Sequence, residues 1–350
     1  MINTLAFTQA QHLLGTSLIS FPNLGIGEFS LDGVAFTIFG HQVMWYGVIM
    51  AIAVIVSFTC FVLRTKSDRL KPDNCFDITL AAIPAAIIGG RLYFVIFHGG
   101  YSTFKEIIAV WDGGIAFYGV FIGGLIAVTT VILIKKLNVF NMLDLIFSSL
   151  IIGQSIGRWG NFTNGECYGG LVPENFLFAM GLQNSSTVST FGTLDTVFVH
   201  PYFLYESLWT LTGFILISVF YKKKAYHGEA ALWYLAWYGL GRGILENLRM
   251  DSLYIGNSDI RVSSLLGLIG AGICIPLLIV MRVLYAKKKK AGLFEENVKP
   301  DFALVLGFKK VKTENTELSE ELSDISTYPL PEVKQETTEE SKEEENGSDS

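Results

Sequence analysis

Four polar side chains lie where an apolar run ends, in the stretch GRWGNFTNGECYGG at residues 157–170. They are Arg158, Asn161, Asn164 and Glu166, and five glycines accompany them. The preceding run, 142–156, is typical of a segment inside a membrane. A guanidinium fork suits phosphate oxygens, and amides suit the hydroxyls of a polyol. The stretch therefore indicates chemistry on an anionic, phosphate-containing molecule.

A second polar set has helical spacing. Tyr238, Arg242 and Glu246 recur every four residues, so they are predicted to share one face of a helix. Glu246 can then pair with Arg242 and hold its guanidinium in place. Two arginines in a region of low dielectric require an anion, and a lipid head group supplies a phosphate at that depth. The predicted substrate-binding residues are Arg158, Asn161, Asn164, Tyr238, Arg242 and Glu246.

Other segments place polar side chains near the same depth. These side chains are Tyr46, Arg91, Tyr118, His200, Tyr205 and Glu206. One arginine at the end of a membrane helix often only extends its charged head to the surface. Ionisable groups inside a membrane are costly, however, and usually face a bundle interior or a wet cavity. The agreement of five or six segments on one level therefore favours a site over separate surface contacts.

Seven apolar runs are long enough to position these residues. Of the 350 residues, 51% are hydrophobic and 17% are charged, and the mean hydropathy is +0.43. A helix needs about 20 residues to cross the hydrocarbon layer, where it satisfies its own backbone hydrogen bonds. The sequence therefore predicts an all-α, polytopic membrane protein. The predicted spans are 43–63, 75–97, 114–134, 141–160, 203–221, 229–248 and 262–285.

The distribution of Lys and Arg predicts the orientation. Basic residues follow the first, third, fifth and seventh spans, as in Lys222–Lys224 and Lys287–Lys290. The other loops are nearly free of them, and 161–202 contains neither Lys nor Arg. Because basic loops stay in the cytoplasm, the N-terminus is predicted outside and the C-terminus inside. The polar residues then lie near the extracytoplasmic face.

Composition divides the chain into three parts. Residues 1–42 are a predicted extracytoplasmic segment, and 43–286 form the seven-helix catalytic domain with a head insertion at about 163–200. Residues 287–350 are a basic stub and an acidic tail. Within the tail, 313–350 carry 13 Asp and Glu against two Lys, a net charge of −11. This composition predicts a disordered cytoplasmic tail without a catalytic role.

The sequence lacks the motifs of several other classes of function. The five histidines have no metal-ligand spacing, and the sequence shows no obvious Ser/His/Asp set. We predict no metal, no other cofactor and no nucleic-acid partner. The alternative is a transporter of an anionic lipid or solute that uses the same arginine cluster. Such sites usually lie near the membrane midplane between inverted repeats, whereas this set is off-centre and the sequence has no evident repeat.

Taken together, the motifs resemble the bacterial prolipoprotein diacylglyceryl transferase family. The resemblance spans about residues 20–285 and rests on GRWGNFTNGECYGG, GGRLYFV, WDGGIAFYG, HPYFLYES and WYGLGRGILENLRMD. The acidic tail lies outside it. The resemblance implies a seven-helix body with an extracytoplasmic head in a bacterial plasma membrane, in agreement with the predicted topology.

The resemblance also implies an activity. Members of this family move the diacylglyceryl group of phosphatidylglycerol to the cysteine thiol of a prolipoprotein lipobox, forming a thioether and releasing glycerol phosphate. This is the first step of bacterial lipoprotein maturation. The expected partners are phosphatidylglycerol, prolipoprotein signal peptides with a lipobox cysteine, and the lipid bilayer.

Roles follow from this chemistry. Arg158 and Arg242 are expected to neutralise the phosphodiester as it leaves. The candidates for assisting the thiol are Tyr118, Tyr46 and Glu166, and the choice among them stays open. Many members have a histidine where this chain has Tyr118, so an imidazole base is absent at that position. The residues expected to support the structure are His200, Tyr205, Glu206 and Arg91.

Overall fold

A computed structural model describes residues 16–307, apart from 69, 102, 111, 112, 251, 253, 256, 257, 259 and 295–298. The predicted acidic tail, 313–350, lies outside the described residues. The helices are α1 (Trp45–Asp68), α2 (Asp73–His98), α3 (Phe104–Ile108), α4 (Phe117–Ile134), α5 (Val139–Thr163), α6 (Ser185–Phe191), α7 (Tyr202–Tyr221), α8 (Glu229–Leu245), α9 (Val262–Lys290) and α10 (Phe302–Leu306). The strands are β1 (Thr16–Phe21), β2 (Ile26–Asp32), β3 (Val34–Ile38), β4 (His41–Met44), β5 (Met180–Gln183) and β6 (Val197–Val199).

Six of the described helices are long and apolar enough to cross a membrane. They are α1, α2, α4, α5, α7 and α9, which correspond to predicted spans one to five and seven. The sixth predicted span, 229–248, contains α8, which has 17 residues and continues in a 3-10 turn at Glu246–Leu248. The mostly helical, multi-span architecture is therefore confirmed with six candidate spans.

The head does not follow the all-α expectation. It contains a four-stranded antiparallel sheet in the order β2-β1-β5-β6. Two of these strands, β1 and β2, come from the N-terminal segment, whereas β5 and β6 lie within the predicted insertion at 163–200. The reason lies in the TSLISF pattern of β1, in which Ser17, Ile19 and Phe21 face inward. This alternation has the period of a half-buried strand.

The core of the head joins the sheet to the helices. Ile19 of β1 and Leu182 of β5 pair across the sheet and are buried. They pack in one cluster with Tyr168, which follows α5, and with Phe203 of α7. The sheet is therefore fixed to the ends of two helices that carry predicted site residues.

Glycines bring α2 and α4 into direct backbone contact. A Cβ on Gly89 of α2 would lie 2.5 Å from the carbonyl oxygen of Gly119, and one on Gly123 of α4 would lie 2.2 Å from that of Ala85. Larger residues at these positions would separate the helices. The glycines of this helix pair therefore permit its close packing.

A buried ionic cluster lies at the end of the bundle away from the head. Nζ of Lys224 lies 2.9 Å from Asp68 and 3.0 Å from Asp144. The Asp144 carboxylate also accepts hydrogen bonds from the backbone N–H groups of Gly228 and Ala231. It thereby caps α8, whose own N-cap position offers no side-chain acceptor. Asp144 of α5 thus fixes the start of the helix that carries Arg242.

Candidate active site

Glu206 of α7 lies between two arginines from neighbouring helices. Its Oε2 is 2.9 Å from Nε of Arg158 on α5, and its Oε1 is 3.1 Å from Nη1 of Arg242 on α8. The same Nη1 is 3.0 Å from Oε2 of Glu246. Three helices therefore meet through alternating charges at the head end of the bundle. We call these four residues the ionic network.

The polar face predicted on α8 is present. Nε of Arg242 donates to the Tyr238 hydroxyl at 3.0 Å, and the guanidinium carbon lies 5.4 Å from the centroid of the Tyr238 ring. Glu246 is only 1% exposed. Its Oε1 accepts a hydrogen bond from Ser252 at 2.9 Å, and its backbone carbonyl accepts one from Arg261. Arg242 is thus held on three sides.

Two of these supporting residues were not predicted from the sequence. Ser252 lies in the loop after α8, and Arg261 is the N-cap of α9. Arg261 also donates to the carbonyl oxygen of Arg249 at 2.6 Å. An arginine immediately before an apolar span resembles an ordinary membrane-border residue, so its spacing carries no signal for a role in the site.

The stretch at residues 157–170, which we call the signature stretch, closes on itself through Glu166. The side-chain amides of Asn161 and Asn164 both donate to Oε1 of Glu166, at 2.9 and 3.3 Å. Nη1 of Arg158 donates to Oδ1 of Asn161 at 3.4 Å, although this contact is long. Gly165 has φ +62°, a conformation that glycine adopts without strain. This turn brings the carboxylate back over the end of α5.

Backbone hydrogen bonds attach this stretch to the head and to both neighbouring helices. The Gly165 carbonyl oxygen accepts a hydrogen bond from the side-chain amide of Asn184 at 2.8 Å. The N–H of Gly169 donates to the backbone carbonyl oxygen of His200 at 2.9 Å, and that of Gly170 donates to the backbone carbonyl oxygen of Leu248 at 2.9 Å. A Cβ on Gly169 would lie 2.7 Å from Cβ of His200. The glycines thus permit the close approach that sets α5 against α7 and α8.

The two candidate tyrosines differ in position. Tyr46, at the start of α1, packs its ring beside Gly160 of the signature stretch, where a Cβ would lie 3.0 Å from Cδ2. Tyr118, on α4, is 54% exposed, and its ring centroid lies 6.2 Å from that of Tyr93. Within the described part of the chain, no hydrogen bond or ion pair joins Tyr118 to the ionic network. The structure therefore brings Tyr46 to the signature stretch and leaves Tyr118 on a separate helix pair.

A comparison with known proteins decides the family. The sequence profile of the prolipoprotein diacylglyceryl transferase family matches residues 33–280. The chain belongs to the prolipoprotein diacylglyceryl transferase family. The resemblance carried by the motifs is thereby confirmed, and the matched region contains the signature stretch and all four residues of the ionic network.

Curated relatives of this transferase family match over most of their length. The Pediococcus pentosaceus phosphatidylglycerol--prolipoprotein diacylglyceryl transferase is 42% identical over 71% of this chain and 88% of its own. The enzyme of that name from Listeria welshimeri is 37% identical over 74% of this chain and 93% of its own. The one from Clostridioides difficile is 36% identical over 76% of this chain and 100% of its own.

In this member of the transferase family, Arg91 supports the backbone of the segment before α4. Its guanidinium donates to the carbonyl oxygens of Glu106, Ile107, Gly113 and Gly114, at 2.5 to 3.0 Å. These bonds leave little capacity for a substrate and fasten the segment that precedes α4. Arg91 therefore holds a loop at the head end of the bundle.

The His-Pro stretch before α7 is also held by local contacts. Nδ1 of His200 lies 3.3 Å from the Tyr205 hydroxyl, and its ring packs edge-on against Phe176 at 5.1 Å. Burial lowers the pKa of His200, so its imidazole is neutral near neutral pH. These contacts fit the supporting roles predicted for His200 and Tyr205. Glu206, predicted as a third supporting residue, lies at the centre of the ionic network.

Proposed function

We propose that this chain transfers the diacylglyceryl group of phosphatidylglycerol to the cysteine thiol of a prolipoprotein. Membership of the family supports the reaction class, and the names of the relatives support both substrates. The structural observation that carries the proposal is the ionic network, because arginines from α5 and α8 converge on one point. Two guanidinium groups at that spacing suit the oxygens of a phosphodiester.

The reaction is a displacement at carbon. The thiolate sulfur of the lipobox cysteine attacks the glycerol carbon that bears the phosphate, and a carbon–sulfur bond forms. The carbon–oxygen bond breaks, and its electron pair leaves with glycerol phosphate. A free thiol has a pKa near 8.5, so a small fraction is thiolate at neutral pH and a weak base suffices. Stabilising the negative charge on the departing phosphate is the larger task. Hydrogen-bond donors and positive charges of the protein can provide this stabilisation.

We assign the phosphate to Arg158 and Arg242. The Glu206 carboxylate lies between them and orients both guanidinium groups. Glu246 holds Arg242 from the other side. Asn161 lies beside Arg158, and Asn161 and Asn164 both suit the polyol head group. Tyr46, Glu166 and Tyr118 are the candidates for assisting the thiol.

We further propose seven spans with the N-terminus outside, the C-terminus inside and the head on the extracytoplasmic side of the plasma membrane. The seventh span in this count is α8. The basic run Lys287–Lys290 at the end of α9 supports this orientation, because basic segments stay in the cytoplasm. The lipobox cysteine of a translocated prolipoprotein would then meet the ionic network at the outer surface.

The direct test is a mass measurement on a lipobox peptide. Purified protein in vesicles of phosphatidylglycerol should add one diacylglyceryl group to the peptide, and glycerol phosphate should appear in equal amount. Vesicles of phosphatidylethanolamine and a peptide with serine in place of cysteine serve as controls. Failure of the phosphatidylglycerol reaction with folded protein would refute the proposed activity.

Tyr118→Phe is expected to lower the rate about ten- to a hundredfold if its hydroxyl donates to the phosphate or orients the thiol. That range corresponds to one hydrogen bond to a charged group, roughly 1.5–3 kcal/mol. Tyr118→His should retain part of the activity and gain a pH dependence near the pKa of imidazole. Initial rates across pH provide the measurement. The control is Tyr285→Phe, which lies on α9 near the opposite end of the bundle. A fully active Tyr118→Phe enzyme would limit Tyr118 to packing.

Deletion of Thr313–Ser350 is expected to leave the transfer rate within about twofold. The acidic tail is predicted to lie on the cytoplasmic side, away from the ionic network. The deletion keeps α10, whose Val305 is fully buried with Tyr226 and Met281. Rates at equal amounts of folded protein provide the measurement. A longer truncation after Leu293 removes α10 and should instead lower Tm, whereas a tenfold slower enzyme after the short deletion would contradict the prediction.

A further inference from the structure

Tyr202, the first residue of α7, has a buried hydroxyl with an unused hydrogen-bonding capacity. The residue is 0% exposed, and its hydroxyl has no hydrogen-bond partner among the described residues. A buried polar group normally finds a partner, and one that is left without any lowers stability. A tyrosine that keeps such a hydroxyl is a candidate for a contact made only in another state of the protein.

The position of Tyr202 suggests which contact that is. Tyr202 and Glu206 are four residues apart on α7, so they share one helical face. Oε1 of Glu206 accepts Arg242, but Oε2 is buried and has no well-aligned hydrogen bond, although it lies 2.9 Å from Nε of Arg158. Two buried oxygens with unfilled hydrogen-bonding capacity therefore lie one turn apart.

We propose that Tyr202 is a positioning residue for the phosphate site and acts through Glu206. When a phosphodiester engages Arg158, the pairing of that guanidinium with Oε2 of Glu206 weakens. The Tyr202 hydroxyl then donates to Oε2, so the carboxylate stays on Arg242 and does not compete with the phosphate. The step moves no proton between residues and replaces the ion pair at Oε2 with a hydrogen bond from the Tyr202 hydroxyl. This inference rests on the proposed function, because it takes the phosphate site as given.

Tyr226 provides a matched comparison within the chain. It is also 0% exposed, and its hydroxyl also has no hydrogen-bond partner among the described residues. Its ring packs near Met281 and Val305 at the opposite end of the bundle, away from the ionic network. A buried tyrosine hydroxyl without a hydrogen-bond partner is therefore not enough to indicate a positioning role. Tyr202 differs from Tyr226 because it lies one helical turn from Glu206.

The test compares Tyr202→Phe with Tyr226→Phe in full-length protein in lipid nanodiscs. The measurements are Tm, the Kd for phosphatidylglycerol, and kcat and KM with a lipobox peptide. Both variants should keep or raise Tm, because each loses an unsatisfied hydroxyl. Only Tyr202→Phe should weaken phosphatidylglycerol binding, about tenfold in Kd and KM, with kcat changed less than threefold. A purely structural tyrosine would not produce this separation.

Several outcomes would overturn the inference. A Kd within twofold of wild type would do so, as would an equal loss in Tyr226→Phe. A Tyr202→Phe protein that fails to fold would also reject it, since the hydroxyl would then act in the ligand-free state. In an Arg158→Lys background, Tyr202→Phe should add no further loss of affinity, and an additional tenfold loss would contradict an action through Arg158. If wild type binds phosphatidylglycerol but transfers nothing, the proposed activity fails while the Kd comparison still decides the role of Tyr202.

Discussion

Arg158→Lys is expected to lower kcat about 100- to 1,000-fold while the protein still folds and inserts. One donor to a developing anion contributes roughly 2.7–4 kcal/mol. Nε of Arg158 is directed to Glu206 and Nη1 to Asn161, and these contacts set the orientation in which the planar group meets a phosphate. An ammonium group is a point charge and cannot keep this geometry. The measurement is kcat with a lipobox peptide in vesicles of phosphatidylglycerol.

The control for this prediction is Arg282→Lys. Arg282 also pairs with a carboxylate, that of Glu229, but it lies on α9 at the opposite end of the bundle and is half exposed. Its replacement should leave kcat within about twofold. If Arg158→Lys were equally mild, the assignment of the phosphate to Arg158 would be wrong, and Arg242 would have to hold the phosphate with other partners.

The sequence was informative where one helix carries the whole pattern. The spacing of Tyr238, Arg242 and Glu246 fixed their shared face, and the structure has the corresponding hydrogen bonds. Six of the seven apolar runs likewise coincide with candidate spans, because hydropathy over about 20 residues depends little on tertiary contacts. Both inferences use only the geometry of a single helix.

Features that depend on distant segments were not predictable in this way. Asp144 caps α8 although more than 80 residues separate it from that helix. β1 was not predicted because six residues with weak alternation gain their partners only from β2 and β5. Glu206 was expected to give structural support, since nothing local to α7 shows that arginines from two other helices converge on it.

Glu206→Gln is expected to lower kcat at least 100-fold and to reduce Tm. The change keeps the shape of the side chain but removes the charge that pairs with both arginines. Removal of one partner from a buried ion pair costs about 3–5 kcal/mol, because the remaining charge stays buried. Without this carboxylate, the hydrogen bond that Arg158 keeps among the described residues is its long contact with Asn161. A displacement of about 1 Å in a positioning group lowers rates on the order of a hundredfold.

The separation of kcat from KM distinguishes this role from substrate binding alone. Loss of the carboxylate leaves the phosphate site more positive, so KM for phosphatidylglycerol should stay equal or fall while kcat drops. Glu174→Gln, an exposed position in the head, is the matched control and should change neither Tm nor kcat. If Glu206→Gln kept kcat within tenfold of wild type, the arginines would not need Glu206 for their orientation, and the ionic network would be a feature of the resting protein only.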